Sequence, residues 1–90
     1  MTKTAAVLFA NGCEEVEALS PIDVLRRLGA QADMVALDKR NVVSAHNVHL
    51  VCDKVLDDSL LDYDIVIFPG GGTGAKNLRE IGRAACREGG

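Results

Sequence analysis

Ninety residues with 48% hydrophobic and 26% charged content form one globular domain at most, and a chain this short buries roughly 60–65% of its unfolded surface. A net charge of −3 gives no electrostatic footing for nucleic acid, and the apolar run Ala5–Ala10 is far too short to cross a bilayer. Cys13, Cys52 and Cys86 are an odd set without close spacing, so free thiols in a soluble cytoplasmic protein are expected, not a disulfide framework.

In chain order, Thr4–Ala10 is continuously apolar after its first residue and reads as a strand covered on both faces. Glu14–Leu28 follows as a helix: Val16, Leu19, Ile22 and Leu25 lie close to one stripe, and Gly29 is a natural stop. Pro21 inside it predicts a kink or a late start. Gln31–Leu37 is a second strand and Asp38–Asn41 a turn. Val42–Asp53 has the pattern of a hairpin with a polar tip at Ala45-His46-Asn47, and Val55–Leu61 is at most a short helix. Ile65–Phe68 is a short buried strand closed by Pro69, which has no N–H for a ladder. Gly70-Gly71-Gly72 then turn sharply and present backbone N–H groups, and a helix is expected from about Gly74. An anion or small molecule fits such a loop at a helix N-terminus, although a plain strand-to-helix turn has the same composition.

The order β-α-β, hairpin, β-α implies an α/β fold with a parallel sheet and helices on both faces. The helices in sight are too few to cover such a sheet. The 90 residues therefore read as the truncated front half of one larger domain.

Two stretches resemble the ThiJ/PfpI family, of the class I glutamine amidotransferase-like superfamily. Val7-Leu8-Phe9-Ala10-Asn11-Gly12-Cys13-Glu14-Glu15-Val16-Glu17-Ala18 resembles its strand–G-x-E-E-x-E–helix start, continued by Pro21-Ile22-Asp23-Val24-Leu25-Arg26-Arg27-Leu28-Gly29. Tyr63-Asp64-Ile65-Val66-Ile67-Phe68-Pro69-Gly70-Gly71-Gly72-Thr73-Gly74-Ala75-Lys76-Asn77-Leu78 resembles its Y-D-x-hydrophobic-P-G-G segment. The resemblance implies a flavodoxin-like, doubly wound, mostly parallel sheet and a homodimer with the first helix near the contact. It implies a cysteine-dependent enzyme without metal or other cofactor, acting on small carbonyl or amide substrates: a glyoxalase or deglycase, or an amidase-type hydrolase.

By the same resemblance Glu17 is the glutamate that hydrogen-bonds the reactive sulfur, and Gly70 and Gly71 supply the oxyanion loop. A protonated carboxyl donating to a thiolate lowers the thiol pKa, and N–H groups aimed at a developing oxyanion typically contribute about 3–4 kcal/mol each. Spacing alone makes Glu17 an ordinary acid in a first helical turn. The family's A-x-C-x-[AG]-P-like elbow after a further strand has no counterpart in these residues, and Cys86 follows no hydrophobic strand. The chain alone is therefore expected to be inactive.

Other groupings compete. His46, His49 and Cys52 are spaced by three, but strand periodicity places His49 opposite the other two, against a metal site. Glu14 and Glu15 read as helix N-terminal charges, and Arg26 and Arg27 as surface or dimer-contact residues. Gly70-x-Gly72-x-x-Ala75 has a faint dinucleotide pattern, but far from the first strand where that motif belongs. The functional alternative is a non-catalytic, chaperone-like or oligomeric binding module, because an incomplete sheet leaves an open edge and bare apolar surface.

Overall fold

The computed structural model describes residues 3–69. Its centre is β1 (Thr4–Phe9), whose first residue is half-buried and the other five buried. Helix α1 (Glu15–Arg27) leads to β2 (Gln31–Ala36), which pairs with β1 in parallel from Thr4↔Gln31 to Phe9↔Ala36. A hairpin of β3 (Asn41–Val43) and β4 (His49–Val51) forms a separate two-stranded antiparallel sheet. The two-residue β5 (Lys54–Val55), a 3-10 helix (Asp58–Asp62) and β6 (Ile65–Ile67) complete the described elements. The main sheet has the order β5-β2-β1-β6, and its three pairings are all parallel. This is the α/β, mostly parallel sheet expected.

Residues alternate along β1 between two apolar layers. Val7 and Phe9 point to one side, packing with Cys13, Ala18 and Ile22 from the α1 side and with Val42 and Cys52 around the hairpin. Ala6, Leu8 and Ala10 face the other side with Val35, against Leu37, Leu56, Leu60, Tyr63 and Val66. A parallel strand needs cover on both faces, and here the helix and hairpin supply one layer while the segment around the 3-10 helix supplies the other.

Polar contacts fix the registers. Asp64 accepts from the backbone N–H of Thr4 at 2.8 Å, and its own N–H donates to the Thr4 hydroxyl at 3.1 Å, locking β6 against the start of β1. That first bond holds the Asp64 carboxyl below its ordinary range. Asp53 receives the Met34 N–H at 2.8 Å and the Arg26 guanidinium at 2.9 Å, joining α1, β2 and the chain after the hairpin.

Helix α1 is one continuous element despite Pro21. Pro21 has no N–H, so the carbonyl of Glu17 four residues earlier has no helical donor. The helix stops where Gly29 adopts φ +89°, with its N–H donating to Arg26 and the Ala30 N–H donating to Leu25. These are the two bonds of a Schellman motif, and a side chain at position 29 would strain the backbone. One element differs from expectation, while the short helix expected within Val55–Leu61 is a 3-10 helix at Asp58–Asp62. Lys54–Val55 forms a short edge strand, and the segment after it winds as a 3-10 helix capped by Asp57, which accepts the Ser59 N–H at 2.9 Å. Both are too short for a periodic signal to register in sequence. The glycine bend, the expected helix from Gly74, and Cys86 lie outside the described residues.

Candidate functional site

From β1 the chain moves to β2 on one side, and it returns through β6 to the other. The strand order reverses between β1 and β6. In an open parallel sheet the loops leaving two such strands diverge at their carboxyl ends and leave a crevice that ligands occupy. Val7 pairs with Ile67, so the carboxyl ends of the two strands lie side by side. The segment Ala10–Glu14 leaves one of them and Phe68-Pro69 the other. The two segments thus leave the sheet at one end.

The first loop is built by its backbone. Gly12 turns with φ +86°, and its N–H donates to Val43 at 2.9 Å. The Cys13 carbonyl accepts the Ala45 N–H at 2.7 Å, and the Asn11 side-chain oxygen accepts the Val43 N–H at 3.0 Å. The hairpin is therefore stitched to the start of α1. Glu14 is the N-cap residue but makes no side-chain cap, and Glu15 and Glu17 provide the acidic first turn.

Glu17 is exposed, with buried Ala18 beside it. Gly70 and Gly71, the expected oxyanion donors, lie outside the described residues. The described residues thus fix the helix that carries Glu17 and the strand that leads to the bend.

Sequence patterning missed a three-residue cluster next to Glu17. His46, at the hairpin tip, places Nδ1 2.9 Å from Glu15 Oε1 and 3.8 Å from Glu14 Oε2. The N–H of Glu15 itself, then the Ser44 hydroxyl and then His46 hold the Glu15 carboxyl below its ordinary range. Only the paired acids at the helix start were visible as a signal, because the hairpin docks through backbone bonds that leave no residue pattern. His49, by contrast, is exposed on β4 and Cys52 is buried, so the His46, His49 and Cys52 spacing does not converge.

Neither described thiol is an activated nucleophile. Cys13 and Cys52 are free and 1% exposed. Burial and then the charge of Glu15 push the Cys13 thiol up, and burial and then Asp53 push Cys52 up to about 11. A reactive cysteine needs the opposite shift. A thiol raised on folding favours the native state below its unfolded value, and that contribution is lost as pH rises toward the folded value. The urea midpoint of the chain is therefore expected to fall between pH 9 and about 11, with Cys52→Ala less stable at neutral pH but showing a shallower fall. Equal slopes in the two proteins would remove Cys52 as the cause.

A shallow open groove along α1 and β2 is lined by Leu19, Ile22, Asp23, Arg26, Arg27 and Met34. Its guanidiniums are already paired, Arg26 with Asp53 and Arg27 with Asp23 at 2.8 Å, so it offers weaker chemistry than the crevice.

Comparison with known proteins gives a consistent picture. The model of the DJ-1/PfpI family matches residues 3–86. The Parkinson disease protein 7 homolog of Danio rerio is 38% identical over 81 residues, covering 87% of this chain and 43% of that protein. Among solved structures, a mutant of a DJ-1 superfamily protein from Salmonella typhimurium superposes with TM-score 0.80 at 40% identity, over 86% of this chain and 43% of that one. A putative protease I from Bacteroides thetaiotaomicron, 18% identical with TM-score 0.73 over 97% of this chain and 50% of its own, shares the flavodoxin-like fold. The chain spans less than half the length of the Danio rerio relative.

Proposed function

The chain belongs to the DJ-1/PfpI family, and from that membership we propose that it forms the glutamate-bearing half of a cysteine-dependent site for small reactive carbonyls. The chemistry is of the glyoxalase or deglycase kind, with amidase-type hydrolysis as the neighbouring possibility on the same groups. The observation that carries this reading is the reversal of strand order between β1 and β6, which opens a crevice where the loop before Glu17 and the strand before Gly70 both end.

In this reading a thiolate on a strand–cysteine elbow of the family's kind adds to the carbonyl carbon of the substrate. Glu17 holds a proton beside the sulfur and favours its ionised form. The negative charge that develops on the carbonyl oxygen is taken up by the backbone N–H groups of Gly70 and Gly71. A flanking carboxyl suits this work only if it is not consumed by an ion pair. His46 is engaged by Glu14 and Glu15, the neighbouring acids.

We assign the working form as a homodimer with α1 near the contact. Val16 and Val24 on that helix are 71% and 52% exposed, an apolar surface that a second copy can cover. Buried, free thiols fit a cytoplasmic protein. No helix among the described residues is long and apolar enough to cross a membrane.

The test is a methylglyoxal assay on the 90-residue chain and on a form carrying a strand–cysteine elbow after it. Lactate is expected from the second and not from the first. Turnover by the 90-residue chain would contradict the division of the site.

A further inference from the structure

The turn between β1 and α1 contains Asn11-Gly12, and of the chain's four asparagines, Asn11, Asn41, Asn47 and Asn77, Asn11 alone precedes a glycine. Asparagine is a chemically labile residue, and a following glycine makes it more so. Glycine has no Cβ to shield its nitrogen, and it reaches the conformations that bring this nitrogen onto the side-chain carbon. Asn41 and Asn47 are followed by valine and Asn77 by leucine, whose side chains hinder the same approach.

The reaction needs only water. The Gly12 nitrogen bonds to Asn11 Cγ, the Cγ–Nδ2 bond breaks, and ammonia leaves with the proton that the Gly12 nitrogen gives up. Water then opens the cyclic imide. Cleavage at Cγ leaves an ordinary aspartate at position 11, and cleavage at the main-chain carbonyl leaves an isoaspartate, through whose side chain the backbone now runs.

In the folded chain both reacting groups are held by one residue of the hairpin. Asn11 is exposed, so water reaches it, but its Oδ1 accepts the Val43 N–H at 3.0 Å. The Gly12 N–H donates to the Val43 carbonyl at 2.9 Å, with Gly12 at φ +86°. The nitrogen that must attack is thus turned toward the hairpin with its proton engaged. The Ala45 N–H, donating to the Cys13 carbonyl at 2.7 Å, closes the same seam. Attack requires the seam to open.

We propose that Asn11-Gly12 is a covalent modification site gated by the hairpin: clasped by Val43 it is preserved, and undocked it converts to aspartate and isoaspartate. The turn leads into the start of α1, with Glu14 as N-cap and Glu15 as first residue. Aspartate keeps an oxygen for the Val43 N–H but adds a negative charge close to those acids. Isoaspartate adds a carbon to the main chain between Ala10 and Gly12, so the Gly12–Val43 and Cys13–Ala45 bonds cannot both keep their register. Product therefore accumulates with the time the hairpin spends open.

The test incubates the 90-residue chain at neutral pH, folded and in urea. Position 11 is followed by peptide mass spectrometry with an isoaspartate methyltransferase assay, and exchange of the Gly12 amide proton is measured by NMR. Conversion is expected to be slower in the folded chain by about ten-fold or more, in step with the protection of the Gly12 amide, because both report one opening. Val43→Pro removes the donor to Asn11 and should speed conversion in the folded chain by about ten-fold, whereas Val43→Ala keeps the backbone groups and should not. The comparison with Gly12 exchange holds whether or not Val43→Pro folds. Equal rates in the folded and unfolded chains, a folded rate unrelated to Gly12 exchange, faster conversion at Asn41 or Asn47 in urea, or a folded Val43→Pro no faster than Val43→Ala would overturn the proposal. None of these readouts involves turnover, so the carbonyl reading stands or falls separately.

Discussion

Phe9→Ala is expected to remove a large share of the chain's folding stability. Phe9 is the largest of the fully buried side chains, at 0% exposure, and it lies on the β1 face shared with Val7, Ala18, Ile22, Val42 and Cys52. Its position is fixed from both sides: β2 pairs alongside through Ala36, and the Phe9 carbonyl accepts the Leu37 N–H at 3.1 Å. Neighbours held this firmly cannot collapse into the vacated space, so the substitution costs roughly 3–5 kcal/mol. A domain of this length has only about 5–13 kcal/mol of stability in total, by the usual 0.05–0.15 kcal/mol per residue. Urea unfolding followed by circular dichroism gives the comparison. A loss below about 1 kcal/mol would mean that the α1 layer does not pack on β1 as described. Leu61→Ala is the contrasting control, because Leu61 is 88% exposed and should change little.

The second large effect concerns chemistry. In a form of the protein that carries the cysteine elbow, Glu17→Ala is expected to lower methylglyoxal turnover by about 10²-fold or more, the usual scale for a positioned proton-holding group. Glu17 is exposed on α1, and Ala is an excellent helix former, so stability should move little. A drop in activity with an unchanged urea midpoint therefore assigns the loss to the site. The pH dependence discriminates further. If Glu17 favours the thiolate, removing it raises the pH at which the thiol becomes alkylated by iodoacetamide. An unchanged alkylation profile with reduced turnover would place Glu17 in substrate binding instead. Glu14→Gln serves as the neighbour control, expected to leave turnover near its starting value.

Much of the frame was legible from residue pattern because the strongest local rules agree there. The strands around Val7, Val35 and Val66, and helix α1, end within a residue or so of their expected bounds. Gly29 marks the helix end because only its positive φ permits the two closing bonds. Pro21 suggested a kink or a late start, but packing of Ala18 and Ile22 on β1 keeps the helix in one piece, and the cost falls on the Glu17 carbonyl. Lys54–Val55 escaped notice because two residues cannot display alternation. The Glu14, Glu15 and His46 cluster escaped for another reason. His46 lies some thirty residues beyond the two acids, and what joins them is the docking of the hairpin through the carbonyls of Cys13 and Val43. Only tertiary structure contains that information.

Glu17 itself was accessible only through resemblance. Nothing in its helical position separates it from Glu14 and Glu15, which the fold has given to His46. The sheet topology shows that α1 follows the carboxyl end of β1 and that β6, the strand before Pro69, pairs alongside β1.

The decisive measurement is a crystal structure of a form of the protein that carries the cysteine elbow. The account predicts one sulfur within hydrogen-bond reach, about 3.5 Å or less, of a Glu17 carboxyl oxygen, and the N–H groups of Gly70 and Gly71 facing the same cavity. A Glu17 side chain turned to bulk water, with the glycine bend lining a different surface, would contradict it.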